Sequence, residues 1–393
     1  MSSSILKNRT ILLGITGGIA AYKSAEIVRR LKKEGASVRV VMTEAATRFI
    51  TPLTLETLSE NPVSVDLFSS PLDHINLPVE ADLYLIAPAT ANTIAGLASG
   101  RADNMVTACF LSFSGPVLLA PSMNWRMYEH PATRENLERL KKMGCFEIEP
   151  VHGELACGES GKGRMAEVEQ IVEEVKVQLS PKDLLGRRIV VTAGPTREPI
   201  DPVRFISNRS SGRMGYALAR VARRRGAEVV LITGPTSLNL PSGVKTVRVE
   251  TASEMFEAVK EETKGADLLV MAAAVADYTV EAREKKIAKG RLKNLSLKPA
   301  VDILKEVSRW KERPFVIGFS AETGPNIAKA KAKLKEKKMD MVVFNDVTMV
   351  GAGFDTETNR IVIISDRDER AFPLMDKEDC AGVIFDAYLE MVS

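Results

Sequence analysis

Short apolar runs separated by helical segments limit the folds open to this chain more than any other feature of its sequence. In the first half, the pattern predicts a helix over 19–34 and strands at 10–15, 36–42, 83–87 and 117–120. Strands that are apolar throughout and joined by helices are typical of a parallel sheet covered on both faces. We therefore predict an α/β fold with a mostly parallel sheet in three layers.

The same order of elements starts again after a polar helix over 166–179 and the linker Ser180-Pro181-Lys182-Asp183. The second half has a predicted helix over 216–225 and predicted strands at 188–192, 227–233, 268–272, 315–318, 341–344 and 361–364. A chain of 393 residues can form two separate cores. We predict two Rossmann-like domains, at 1–180 and 186–393.

Charge and composition exclude several classes of protein. A net charge of +3 and an aromatic content of 5% argue against a nucleic-acid-binding protein. The four cysteines have no paired spacing, which favours a reducing compartment over a disulfide framework. No apolar run is long enough for a membrane span, and the glycines within 11–21 argue against a signal peptide. We expect a cytoplasmic protein that binds no membrane.

Polar loops follow three of the predicted strands in the first half, at 14–24, 87–96 and 121–127. Ligands of open α/β sheets bind beyond the carboxyl ends of the strands, and the first loop also opens a helix, where a phosphate can bind. The pattern indicates a cofactor cleft. The alternatives are a plain tight turn at the first loop and simple helix caps at Asn92 and Asn124.

Two further side chains in the first half are candidates for proton transfer. Cys157 lies in the glycine-rich stretch 153–165, which we predict to be a mobile segment that can carry a thiol into a site. His74 precedes the third strand and has no metal-ligand spacing to another histidine, so it is either a general acid–base or a structural residue. The alternative for Cys157 is a small buried hydrophobic residue.

The second half has its own candidate residues. Small residues and then Asp277 follow the strand at 268–272, and this carboxylate can hold a ribose hydroxyl or Mg²⁺. The lysine run over 329–338 reads as a solvated helix face. Lys333 and Lys337 are nevertheless one turn apart and project together.

Long motifs in this sequence resemble a known family. The first half resembles the flavin-dependent cysteine decarboxylases in the segments 17–23, 73–75, 87–91, 121–124 and 156–158. With the second-half segments 192–204 and 206–215, the chain resembles, over nearly its whole length, the bifunctional phosphopantothenoylcysteine decarboxylase/phosphopantothenate–cysteine ligases of coenzyme A biosynthesis. The resemblance implies a flavodoxin-like first domain and a ligase-type second domain.

For the first half, the resemblance implies FMN-dependent decarboxylation of 4′-phosphopantothenoylcysteine. His74 would handle a proton near the substrate thiol, Asn124 would hold the substrate carboxylate, and Cys157 would be the acid of the final reduction. The implied FMN-binding residues are Gly17, Gly18, Ile19, Lys23, Thr43, Pro88, Ala89 and Thr90.

For the second half, the resemblance implies that 4′-phosphopantothenate is activated with CTP and Mg²⁺ and then joined to L-cysteine. Asn208 and Lys286 would act on the acyl-cytidylate; the metal ligands are unknown. The sequence departs from the family at Ala288 and at Ala300-Val301. The implied substrate- and nucleotide-binding residues are Met271, Ala272, Ala273, Asp277, Lys286, Lys289, Val301, Asp302, Ile303, Leu304, Phe319, Lys333 and Lys337.

The family also implies a homo-oligomer, with trimers of the decarboxylase domain and dimers of the ligase domain. Two alternative functions stay open at this point. One is a decarboxylase of peptide C-terminal cysteines, which would not need residues 186–393. The other is a non-catalytic flavoprotein that regulates a partner, which would not need His74 or Cys157.

Overall fold

The computed structural model describes residues 5–70, 72–154, 158–289, 292 and 294–392. The chain divides into two compact units, and the division falls between Ser180 and Pro181. Each unit has a mostly parallel sheet between helices, so the predicted α/β fold class is confirmed. Among the helices of the described residues, none is both long and apolar enough to cross a membrane.

The first unit contains a six-stranded parallel sheet in the order β3-β2-β1-β4-β5-β6. Its strands are β1 (Thr10–Ile15), β2 (Ser37–Met42), β3 (Val63–Ser64), β4 (Leu83–Ala89), β5 (Val117–Pro121) and β6 (Cys145–Glu147). The strand order reverses between β1 and β4, which are buried along nearly their whole length. Doubly wound sheets bind their ligands at such a reversal.

Helices cover both faces of this sheet. They are α1 (Ser24–Lys33), α2 (Pro52–Ser59), α3 (Asp73–Glu80), α4 (Ala91–Ser99), α5 (Met105–Ser112), α6 (Trp125–Glu129), α7 (Pro131–Lys142) and α8 (Val168–Leu179). Side chains of α1 and α8 form the core on one face, and those of α4, α5 and α7 form it on the other. The helix predicted over 19–34 differs in its first turn, because Ile19–Lys23 is a 3₁₀ turn that precedes α1.

Most of the described residues of the glycine-rich stretch lie in a regular element, and its predicted mobility stays a prediction. Its described residues contribute to an antiparallel hairpin of β7 (Val151–Glu154) and β8 (Ser160–Arg164). The hairpin belongs to the first unit but is not part of its main sheet. Cys157 lies outside the described residues.

The second unit contains an eight-stranded sheet in the order β13-β12-β9-β14-β17-β18-β20-β21. Its strands and the small strands around it are β9 (Arg188–Ala193), β10 (Arg197–Pro199), β11 (Phe205–Ser207), β12 (Glu228–Thr233), β13 (Lys245–Arg248), β14 (Leu268–Met271), β15 (Tyr278–Thr279), β16 (Lys298–Pro299), β17 (Phe315–Glu322), β18 (Met341–Asp346), β19 (Thr358–Asn359), β20 (Val362–Ser365), β21 (Glu369–Ala371) and β22 (Met375–Asp376). Only β20 and β21, at one edge of the sheet, pair antiparallel. Such an antiparallel edge is common in otherwise parallel sheets.

The helices of the second unit divide between the two faces of its sheet. They are α9 (Arg213–Arg224), α10 (Ala252–Glu262), α11 (Ile303–Val307), α12 (Ile327–Glu336) and α13 (Lys377–Val392). Side chains of α9 and α13 form the core on one face, and those of α10, α11 and α12 form it on the other. The buried Arg224 guanidinium pairs with Glu378 at 2.6 Å, which ties α9 to α13.

Candidate functional site

Three polar loops of the first unit meet at the carboxyl edge of its sheet. Thr16, directly after β1, donates its hydroxyl to the carbonyl of Pro88 at 2.7 Å and accepts the amide of Thr90 at 3.1 Å. The amide of Ser122, after β5, donates to the carbonyl of Ala89 at 3.0 Å. The loops after β1, β4 and β5 are therefore joined side by side next to the reversal in strand order.

The residues predicted to bind the flavin come from these loops and from the loop after β2. A Cβ at Gly17 would stand 2.5 Å from the Cβ of Ala45, so the backbone there approaches the loop after β2 more closely than another residue allows. Gly18 lies against Thr90, since a Cβ there would stand 3.4 Å from the Thr90 methyl. The exposed Ile19 is the first residue of the 3₁₀ turn. This cradle brings predicted flavin-binding residues from separate loops together at one edge of the sheet.

Polar side chains around the cradle already have local partners. Lys23 pairs with Glu167 of the same unit at 3.1 Å, with 12% of its side chain exposed. The hydroxyl of Thr43 accepts the amide of Ala46 and caps the 3₁₀ helix Glu44–Arg48. The hydroxyl of Thr90 likewise caps α4. A bound cofactor would therefore meet prearranged side chains.

The hairpin is fixed to the loop that holds Asn124. One carboxylate oxygen of Glu159 accepts the amide of the Asn124 side chain at 3.4 Å and the indole N–H of Trp125 at 3.0 Å. The other oxygen accepts Arg126 at 2.7 Å. The hydrogen bonds from Asn124 and Trp125 lower the pKa of Glu159, which therefore remains an anion that seats the hairpin. The predicted carboxylate-binding residue thus lies beside the cysteine-bearing stretch.

His74 lies on α3, apart from the hairpin in sequence and in its described contacts. Its backbone carbonyl accepts the hydroxyl of Ser112 on α5. Among the described atoms, its Nδ1 is buried and has no hydrogen-bond partner. The neighbouring Asp73 accepts the hydroxyls of Ser64 at 2.7 Å and Ser70 at 2.8 Å. His74 is therefore half-buried, and no described hydrogen bond fixes its Nδ1.

The second unit has a cavity of about 470 Å³ at the carboxyl ends of β14, β17 and β18. The cavity extends over the edge of the sheet, from the face that α9 and α13 cover to the face that α11 and α12 cover. The predicted binding residues that line it are Met271, Ala272, Ala273, Asp277, Val301, Asp302, Ile303, Leu304, Phe319 and Lys337. Asn345, near the carboxyl end of β18, lines the cavity as well. The cavity therefore gathers residues that are far apart in sequence.

Of the other predicted residues of this half, Asn208 contacts the cavity lining, whereas Lys286 and Lys289 are not among the residues that line it. Asn208 donates its amide to the carbonyls of Ala274 at 3.2 Å and Val275 at 3.0 Å, both of which line the cavity. Lys286 and Lys289 are exposed on either side of the buried Ile287. The amide of Ile287 donates to a carboxylate oxygen of Asp201 at 3.1 Å, which fixes the lysine segment at one point.

Lys333 lies in the last turn of α12 and Lys337 directly follows the helix, but their ammonium groups have different partners. Lys333 pairs with Glu322 at 2.7 Å, and Lys337 pairs with Asp302 at 3.1 Å. Burial raises the pKa of Glu322, but hydrogen bonds from Lys329 and Lys333 outweigh it and lower that pKa to about 2. The prediction that the two lysines project together therefore needs refinement, since each is directed to its own carboxylate.

Sequence reasoning missed one wall of the cavity. Gly353, Phe354 and Lys377 line it together with Ser211, although they come from distant parts of the sequence. No motif marked them, because a single lysine at the start of an amphipathic helix has no distinguishing pattern. Among the described residues, no group of three or more His, Cys, Asp or Glu side chains has a metal-binding arrangement.

Two family models match the chain. The model described as "Flavoprotein" matches residues 1–180, and the model described as "DNA/pantothenate metabolism flavoprotein C-terminal domain" matches residues 184–391. The two matches together span nearly the whole chain, and their boundary falls close to the division between the two compact units.

Curated relatives match over both halves. The coenzyme A biosynthesis bifunctional protein CoaBC of Vibrio cholerae is 43% identical over 96% of this chain and 97% of its own length. A cysteine/cysteine sulfinic acid decarboxylase from an unknown prokaryotic organism is 48% identical over 87% of this chain and 99% of its own length. Among solved structures, the C-terminal domain of a coenzyme A biosynthesis bifunctional protein CoaBC is 40% identical, covers 54% of this chain and 98% of that chain, and has a TM-score of 0.47.

Proposed function

Because the chain belongs to the family of coenzyme A biosynthesis bifunctional proteins, a decarboxylase and a ligase in one enzyme, we propose that its two sites act on consecutive intermediates. The second unit joins L-cysteine to 4′-phosphopantothenate at the expense of CTP, with Mg²⁺. The first unit then decarboxylates 4′-phosphopantothenoylcysteine to 4′-phosphopantetheine with FMN. The enzyme works in the cytoplasm as a homo-oligomer, with trimeric contacts in the first unit and dimeric contacts in the second.

In the first unit, Gly17, Gly18, Ile19, Lys23, Thr43, Pro88, Ala89 and Thr90 would hold FMN. The bound flavin would supply a two-electron acceptor that is regenerated within one turnover. Asn124 holds the substrate carboxylate, and its link to Glu159 fixes the side chain before substrate arrives. His74 takes a proton near the thiol, and Cys157 returns one to the product, since a neutral thiol is a competent acid near neutral pH.

In the second unit, the observation that carries the proposal is the cavity that ten of the thirteen predicted substrate- and nucleotide-binding residues line. The small side chains of Ala272 and Ala273 let a ligand approach the backbone. Lys337 and the nearby Lys333 supply positive charge for a triphosphate. Asn208 is held against the same backbone and, with Lys286 and Lys289, acts at the acyl-cytidylate.

The test uses the purified full-length chain with each substrate omitted in turn. We expect a bound flavin in the visible spectrum, pyrophosphate release that requires CTP, 4′-phosphopantothenate and Mg²⁺, and CO₂ release that follows when cysteine is added. Asn208→Ala should abolish ligation and retain decarboxylation of supplied 4′-phosphopantothenoylcysteine. The matched control is Asn239→Ala, at an exposed asparagine of the same unit outside the cavity lining.

Three outcomes would contradict the proposal or one of its assignments. Efficient CO₂ release from free cysteine, with none from 4′-phosphopantothenoylcysteine, would favour an activity like that named for the cysteine/cysteine sulfinic acid decarboxylase. Pyrophosphate release that is equally fast with ATP would remove the assignment of CTP. Normal ligation by Asn208→Ala would exclude that residue from the mechanism.

A further inference from the structure

Lys377 is a buried cation in the lining of the ligase cavity. It is the first residue of α13 and is only 6% exposed. Its ammonium donates to three backbone carbonyls, those of Gly353 and Phe354 at 3.3 Å and that of Thr356 at 2.5 Å. A lysine at a helix N-terminus faces the positive end of the helix dipole, and burial of a charge is costly. The three carbonyl contacts offset this cost.

The carbonyls that Lys377 holds belong to residues 353–357, which we call the wall segment. Gly353 and Phe354 of this segment line the cavity. The segment is also held at the start of α9, because the Ser211 hydroxyl donates to the carbonyl of Phe354 and Arg213 pairs with Glu357. Lys377 thus joins the wall segment to α13, while Ser211 and Arg213 join it to α9.

Most of the predicted nucleotide contacts lie on the other side of the cavity from the wall segment, whereas Ala272 and Phe319 pack on the side of α9 and α13. Both α9 and α13 belong to the core on one face of the sheet, whereas α11 and α12 belong to the core on the other. Ile303 and Leu304 of α11, which the resemblance implies as substrate or nucleotide contacts, are on that other face, and Lys337 pairs with Asp302 beside them. The end of the cavity next to the wall segment is therefore left for the second substrate, the carboxylic acid.

We propose that Lys377 is a positioning residue for ligation, which fixes the wall segment so that the cavity closes around the 4′-phosphopantothenate end of the reactants. It does not touch the reacting atoms, because its three donors are already used by carbonyls. The inference rests on the proposed function for the identity of the two substrates.

The test is steady-state ligation by the full-length Lys377→Met variant, which keeps an apolar side chain of similar length and loses the ammonium. Hydrogen bonds from a charged donor are each worth about a tenfold effect or more, so we expect the KM for 4′-phosphopantothenate to rise about tenfold or more. The KM for CTP and the decarboxylation rate should change less than about twofold. The control is Lys264→Met, at an exposed lysine paired only with Glu261 on the surface.

A second variant keeps the test decisive if Lys377→Met folds poorly. Glu357→Gln weakens the bond to Arg213 at an exposed side chain and leaves Lys377 in place. It should raise the same KM by a smaller factor, about two- to threefold. In both variants, hydrogen exchange should accelerate in peptides that cover 351–359 and stay unchanged in β9, β14 and β17.

Three results would overturn the inference. They are an unchanged KM for the acid in Lys377→Met, an increase in the KM for CTP alone, or faster exchange throughout the sheet with no effect of Glu357→Gln. The last result would make Lys377 a residue of stability only. Failure of the wild-type chain to release pyrophosphate with CTP would instead contradict the proposed function, so the two failures are distinguishable.

Discussion

Gly163 offers the sharpest test of how the hairpin serves decarboxylation. It lies in β8 against the loop of Asn124, and a Cβ there would stand 2.3 Å from the carbonyl oxygen of Met123 and 3.0 Å from the amide nitrogen of Trp125. Both neighbours are backbone atoms, which cannot turn away. The amide of Met123 also donates to the carbonyl of Gly163 at 3.0 Å. Gly163→Ala must therefore move the hairpin away from this loop.

The size of the effect follows from these contacts. The hairpin must shift by about 1 Å to bring the new Cβ to an ordinary contact distance from the Met123 carbonyl oxygen. That shift is enough to break the hydrogen bond between the Met123 amide and the Gly163 carbonyl. Overpacking costs about 1–3 kcal/mol and the lost hydrogen bond about 1 kcal/mol, so docking of the hairpin weakens by about 2–4 kcal/mol. Since 1.4 kcal/mol is a factor of ten, we expect decarboxylation to fall by about 30-fold to 700-fold.

The assay follows CO₂ release from 4′-phosphopantothenoylcysteine, with ligation by the second unit of the same chain as an internal standard. Gly153→Ala is the matched control, because it lies in the same hairpin and its Cβ would meet the Arg164 side chain at an ordinary 3.6 Å. It should decarboxylate at close to the wild-type rate. Wild-type decarboxylation by Gly163→Ala, or an equal loss in both variants, would refute the reasoning.

Two further predictions concern Lys333 of α12 and its partner Glu322. Lys333→Ala should raise the KM for CTP about tenfold. The control Lys331→Ala changes an exposed lysine that pairs with Glu369 and should leave this KM unchanged. Ligation kinetics over a range of CTP concentrations check the prediction, and equal effects of the two variants would contradict it. The pKa of Glu322 is lowered from 4.5 to about 2, so its ion pairs contribute stability above pH 4.5 that is lost as the pH falls towards 2. Urea unfolding at pH 6 and pH 3.5 should show a smaller decline for Glu322→Gln than for the wild type, and identical declines would exclude this ion pair as the cause.

The sequence was sufficient to predict the fold class because its buried strands are apolar along most of their length. The strands β1 and β4 are buried along nearly their whole length, because helices cover both faces of the sheet. Apolar residues are therefore found at successive positions of these strands. Short strands such as β3 and β6, and the hairpin strands β7 and β8, escaped because they are too brief or too glycine-rich to show a period. The 3₁₀ turn at Ile19–Lys23 escaped for a related reason, since its residues are also compatible with the first turn of an α-helix.

The candidate site was predictable only where a motif marked it. Asp302 and Phe319 were identified by resemblance, and the structure brings them to one cavity. Glu159 and Lys377 were not, because their roles depend on neighbours that are far away in sequence. Glu159 orients Asn124, and the Lys377 ammonium holds three carbonyls. In the sequence alone, neither residue can be distinguished from an ordinary charged surface residue. Only tertiary contacts assign them a place.

The separation of the cores has a consequence for synthesis on the ribosome. Every core cluster of the described residues draws its members from one unit alone. The six-stranded sheet, its helices and the hairpin are all encoded before Pro181. Because domains generally fold as units with the N-terminal one first, the decarboxylase half can complete its hydrophobic core while the ligase half is still being translated. Nascent chains arrested after residue 180 has cleared the exit tunnel should already protect that half from protease.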